Sequence, residues 1–114
     1  MTSREIARKA CSCLDEKKAV DIKVIDISRI SIIADYFIIA GGTNIRQVKS
    51  LADNVEEKLD EAGVHYSHRE GYSDGEWILL DYGDVVVHIF RDESRAYYAL
   101  EKLWGDAEIT RYAD

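Results

Sequence analysis

Residues 76–90, EWILLDYGDVVVHIF, leave the chain few choices of fold. Two apolar runs, 77–80 and 85–90, rich in β-branched and aromatic side chains, are joined by Asp81-Tyr82-Gly83-Asp84. A glycine-bearing join this short between such runs predicts a tight β-hairpin. In the second run Val85, Val87 and Ile89 fall on one face, and Val86, His88 and Phe90 on the other. Both faces are mostly apolar, which predicts a strand covered on both sides and central to its sheet. The join itself places Asp81, Tyr82 and Asp84 at one sheet edge, with Trp77 further back on the same strand. Carboxylates beside aromatics at an edge suit a binding site better than a core.

The remaining segments supply what such a hairpin packs against. Thr2 with Glu5 has the spacing of a capping box, and Ile6, Ala10, Cys13 and Leu14 then make one stripe of a first helix, flanked by Ala7 and Cys11. Residues 21–28, DIKVIDIS, and 36–40, YFIIA, read as strands joined by a short connection. After Gly41-Gly42, Asn44 with Gln47 repeats the capping spacing. Ile45, Val48, Ala52, Val55, Leu59 and Ala62 form the stripe of a second helix, which Gly63 stops. Residues 64–70, VHYSHRE, read as a more exposed strand. Asp92 caps a last helix carrying Ala96, Tyr97, Leu100, Leu103 and Trp104, and residues after about 106 read as a frayed tail. The order α-β-β-α-β-β-β-α predicts a single α/β domain over residues 1–114, with a mixed sheet of about five strands and helices packed on it.

Charge narrows the partners. The net charge of -7 over 114 residues argues against sequence-specific nucleic acid binding, which needs a basic face, and favours a basic protein surface. No apolar run approaches the roughly 20 residues of a membrane span, and the N-terminus lacks the apolar core of a secretory signal, so a cytoplasmic protein is expected. Cys11 and Cys13 stand two apart on a helix and do not face each other, which implies free thiols in a reducing compartment.

Several constellations invite a chemical reading. The glycines before the second helix, IAGGTNIR, resemble an anion nest, and Arg46 adds charge, so a small nucleotide-binding or nucleotidyltransferase-like enzyme is the alternative function. The segment matches neither a dinucleotide fingerprint nor a P-loop, and a tight turn into a capped helix accounts for the glycines better than an anion site. Nucleotidyl transfer also needs paired carboxylates on the next strand to hold magnesium, and VHYSHRE has none. Asp81 and Asp84 pair only across a turn. His65 and His68, three apart on a strand, point to opposite faces, and two cysteines are too few for a zinc site. The residues therefore imply a binding module, not an enzyme, with no cofactor and no metal. A homodimeric accessory subunit is a third reading.

DYFIIAGGTNIRQV, the Glu70-Gly71 pair, WILLDYGDVVVHIF and YYALEKLW together resemble the Iojap family of ribosomal silencing factors. The resemblance is strong from about Asp35 to Trp104. It is most specific from Trp77 to Phe90 and at Tyr98, Leu100, Glu101, Leu103 and Trp104. It implies a nucleotidyltransferase-like α/β fold without catalytic carboxylates. It also implies a translation repressor that binds the large ribosomal subunit through a ribosomal protein on its intersubunit face and blocks joining of the small subunit. The contact surface that the resemblance implies is Glu70, Gly71, Trp77, Asp81, Tyr82, Gly83, Asp84 and His88; a homodimer off the ribosome is a further expectation.

Overall fold

A computed structural model describes residues 1–91, 102 and 107–112. Helix α1 spans Ser3–Glu16. The Thr2 hydroxyl accepts from the Glu5 amide at 3.1 Å, and the Glu5 carboxylate accepts from the Thr2 amide at 2.9 Å, closing the expected capping box. Ala7, Ala10, Cys11, Cys13 and Leu14 are its buried face, so both thiols are core side chains. Burial raises both thiol pKa values, that of Cys11 to about 12, with the neighbouring Cys13 adding to it.

Helix α2 spans Ile45–Glu61. Asn44 caps it by accepting from the Gln47 amide at 2.8 Å. It ends in a Schellman turn: Gly63, at φ +81°, donates to Asp60 at 2.9 Å, and Val64 donates to Leu59 at 2.8 Å. Val48, Ala52, Val55 and Leu59 are buried as the stripe requires, but Ile45 and Ala62 lie at exposed ends, and Leu51 and Asn54 join the buried set. Asn54 is tolerated there because its amide donates to the Cys13 carbonyl at 2.8 Å, tying α2 to the last turn of α1.

The sheet has six strands among the described residues, where about five were expected. They are β1 (Val20–Asp26), β2 (Tyr36–Gly42), β3 (His68–Glu70), β4 (Trp77–Asp81), β5 (Val85–Arg91) and β6 (Glu108–Arg111), in the order β3-β4-β5-β2-β1-β6. Only β2 and β5 pair in parallel, so the sheet is mixed, and the hairpin's second strand lies inside it. Alternation along the strands divides the core in two. Ile22, Ile38, Ala40, Ile78, Leu80, Val85, Val87 and Ile89 meet both helices on one face. Ile25, Ile27, Ala34, Ile39 and Phe90 cluster on the other.

Two sequence expectations need correcting. The chain does not fray between Glu108 and Arg111: that segment pairs with β1 from Lys23↔Arg111 to Asp26↔Glu108, and Arg111 also reaches Asp21 at 2.9 Å. The strand expected over 64–70 is only three residues long, because Val64 still serves the end of α2 and His65 pairs with Asp60. Of the last helix expected from Asp92 to Gly105, only Lys102, which is helical and exposed, is among the described residues.

Candidate functional site

The turn of the β4–β5 hairpin is two residues, Gly83 and Asp84, closed by the Tyr82 amide donating to the Val85 carbonyl at 2.9 Å. Gly83 has φ +85° and Asp84 is not in the positive-φ region, the pattern of a type II′ turn with glycine first. The Asp81 carboxylate accepts from the Gly83 amide at 2.8 Å and so shapes the turn. Gly83 and Asp84 are exposed, and Asp81 is half-buried.

At the other end of β4, Trp77 is 42% exposed. Its ring lies against Phe90, with centroids 5.0 Å apart, and against His88 at 5.8 Å. The indole N–H donates to Nδ1 of His88 at 3.0 Å. Neutral His88 therefore carries its proton on Nε2, which is buried and has no partner among the described residues. Burial pushes the His88 pKa down to about 4, against an opposing pull from the Asp81 carboxylate. His88 is thus a backing residue that holds Trp77 from beneath.

That pKa sets a pH dependence. The unfolded chain protonates His88 near pH 6.5 and the folded one only near 4, so between these values the unfolded state holds the extra proton and stability falls as pH falls. Thermal melts should lose up to about 1.4 kcal/mol of stability per pH unit on this account as pH drops through that window. His88→Gln should flatten the slope between pH 6.5 and 5, above most carboxylate titration; an unchanged slope would contradict the buried neutral imidazole.

Gly71 completes the Trp77 end. It has φ +79°, and a Cβ there would stand 2.0 Å from the Trp77 carbonyl oxygen, so only glycine lets the 71–76 loop cross the start of β4. Glu70, opposite Leu79, is exposed and pairs with His68 at 3.0 Å. Arg91 and Glu76, an ion pair at 3.0 Å, flank Trp77, and no local sequence signal marks either as part of a site.

The expected contact residues are spread along β4. Trp77, crossed by Gly71, stands at its start, Glu70 and His88 both oppose Leu79 at its middle, and Asp81, Gly83 and Asp84 stand at its far end, about 13 Å from Trp77. Trp77, Leu79 and Asp81 share one face of β4 by alternation. Tyr82 does not join them: it packs towards the helix-side core, edge-on to Tyr66 at 6.5 Å, and its hydroxyl is buried with no partner among the described residues. Burial raises its pKa. Strand parity alone separates Tyr82 from Trp77 and Asp81, a signal that the sequence already held.

The glycine turn before α2 is occupied by packing and capping. Gly41 and Gly42 are buried, and a Cβ on Gly42 would meet Val48 Cγ2 at 2.9 Å. The Gln47 side chain accepts from the Thr43 amide at 2.6 Å and donates to the Lys17 and Lys18 carbonyls at 3.3 and 3.1 Å. Among the described residues no group of three or more His, Cys, Asp or Glu is placed to hold a metal, and no helix is long and apolar enough to cross a membrane.

The chain resembles known proteins over nearly its whole length. The family model described as "Ribosomal silencing factor during starvation" matches residues 1–114. The ribosomal silencing factor RsfS of Bacillus subtilis is 42% identical over 109 residues, 96% of this chain and 92% of the relative. That of Chromobacterium violaceum is 44% identical over 105 residues, 92% of this chain and 86% of the relative. A crystal structure of a Chromobacterium violaceum protein superposes with a TM-score of 0.88 at 40% identity, covering all of this chain and 95% of the other.

Proposed function

The chain belongs to the ribosomal silencing factor family, and from that premise we propose that it represses translation by docking on a basic ribosomal protein of the large subunit's intersubunit face, so that the small subunit cannot join. The observation that carries the reading is Trp77: a large aromatic left 42% exposed, yet held rigid by Phe90, His88 and the Gly71 crossing. A pre-ordered aromatic gives a partner apolar area at little entropic cost, and tryptophans are frequent hot spots. The exposed Asp84 and half-buried Asp81, further along the hairpin, add the negative charge that a basic partner requires. A domain of 13.0 kDa does not cover an intersubunit face, but a steric block needs only one clash. Docking on protein also suits the net charge of -7, which disfavours docking on RNA.

Co-sedimentation with purified large subunits in a salt series tests the electrostatic part. Asp84→Lys reverses an exposed charge and should leave the fold intact while weakening binding and flattening its salt dependence. Asp81 must be probed as Asp81→Asn, which keeps an acceptor for the Gly83 amide and removes only the charge. Unchanged binding of both variants at low salt would place the docking surface elsewhere.

A further inference from the structure

The connection between β1 and β2 carries an apolar display that the Trp77 surface does not explain. Ile27 and Ala34 anchor it in the core, at 0% and 4% exposure, while Ile30, Ile32 and Ile33 stand 50%, 107% and 75% exposed. The segment is shaped. Ile30 and Ser31 donate to the Ile27 carbonyl at 3.0 and 2.9 Å, Ile33 donates to the Ser31 hydroxyl at 3.1 Å, and Ser28 donates through its amide and its hydroxyl to the Asp26 carboxylate at 3.0 and 2.6 Å. Three isoleucines held outward on a hydrogen-bonded turn present water with a patch of the kind that marks contact surfaces.

The patch is also stitched to the hairpin turn. The Asp35 and Tyr36 amides both donate to the Asp84 carbonyl, at 2.7 and 3.1 Å. Residues 30–33 and the acidic turn therefore share one rim of the sheet, at the end of β4 remote from Trp77. We propose that this isoleucine loop is a second anchor on the same basic ribosomal protein, seated in an apolar depression beside the cations that meet Asp84. The inference rests on the proposed docking to the large subunit and adds a contact to it.

Charge selects this occupant over a second copy of the chain. Among the described residues Asp26, Asp35, Asp84 and Glu108 lie beside the patch against Arg29 and Arg4, so a two-fold pairing of patches would bring an acidic excess together, on a chain whose net charge is already -7. An anionic membrane surface is disfavoured for the same reason. A basic protein surface with an apolar hollow meets both the isoleucines and the carboxylates.

The test is the full chain carrying Ile32→Ser with Ile33→Ser, pelleted with purified large subunits across a salt series beside wild type, Trp77→Ala and Asp84→Lys. Circular dichroism and size-exclusion light scattering accompany it. The isoleucine pair should melt as wild type does, since both side chains are exposed. Its affinity should fall roughly tenfold or more at every salt concentration, while the Asp84→Lys loss shrinks as salt rises. Wild-type affinity in the isoleucine variant, with Trp77→Ala weakened, overturns the second anchor and leaves the docking reading standing. A change of oligomeric state without a change in subunit binding assigns the patch to self-association and also overturns it. Failure of wild type itself to pellet sinks the docking reading, and this inference with it.

Discussion

Val87→Asp should abolish the cooperative thermal transition of this domain. Val87 is 0% exposed on β5, paired with Leu80 of β4 and Ile38 of β2, on the face that meets both helices. Its cross-strand neighbours, Ile38 and Leu80, carry no side-chain hydrogen-bond donor. A carboxylate placed there ionises at a cost of several kcal/mol or stays protonated and unpaired at a smaller one, and it also loses the apolar contacts of valine. Against a total stability of about 5–15 kcal/mol, that is enough to unfold most molecules at 37 °C. Circular dichroism melts check it. A cooperative melt at the wild-type midpoint would mean that β5 is not the inner strand of the sheet.

The second large effect falls on the join between fold and site. Gly71→Ala should destabilise the domain and weaken subunit binding together. Two costs combine. The first is conformational, roughly 1–2 kcal/mol for a Cβ in the left-handed region. The second is the collision with the Trp77 carbonyl oxygen at 2.0 Å, which forces the loop or the start of β4 to move. Gly63→Ala isolates the first cost, because Gly63 has a similar φ of +81° and nothing within 4 Å of its added Cβ. Gly71→Ala should therefore melt well below Gly63→Ala, and only Gly71→Ala should lose affinity for large subunits. Equal melting points for the two variants would contradict the close crossing that positions Trp77.

How far the sequence carries this account depends on where the information sits. Residues 85–90 were legible because burial on both faces leaves a β-branched run with no polar alternation, and Gly83 marks the turn. The capping residues Thr2 and Asn44 were legible because caps are local. β6 was not: Glu108–Arg111 is a fully exposed edge strand, and its place beside β1 is set by pairing across more than 80 residues. The sequence names candidate contact residues but not the geometry that relates them. That Trp77 bonds His88 follows from the hairpin register, in which Trp77 opposes Phe90 and Leu79 opposes His88, so neighbouring side chains on one face meet diagonally. The isoleucines at 30, 32 and 33 read in sequence as connection, although an apolar run in a connection is itself a sign of contact.

Subunit joining, measured with Trp77→Ala beside wild type, tests the central claim most directly. Trp77 is half-exposed, so its loss should leave a cooperative melt, lowered mainly by the acceptor stranded on His88, which costs about 1–3 kcal/mol. Wild-type protein should pellet with large subunits and suppress their joining to small subunits. Folded Trp77→Ala should bind at least about tenfold more weakly, a loss of about 1.4 kcal/mol or more, and should no longer suppress joining at wild-type concentrations. A folded Trp77→Ala that binds and blocks joining as well as wild type would contradict the assignment of this hairpin face as the surface that silences the ribosome.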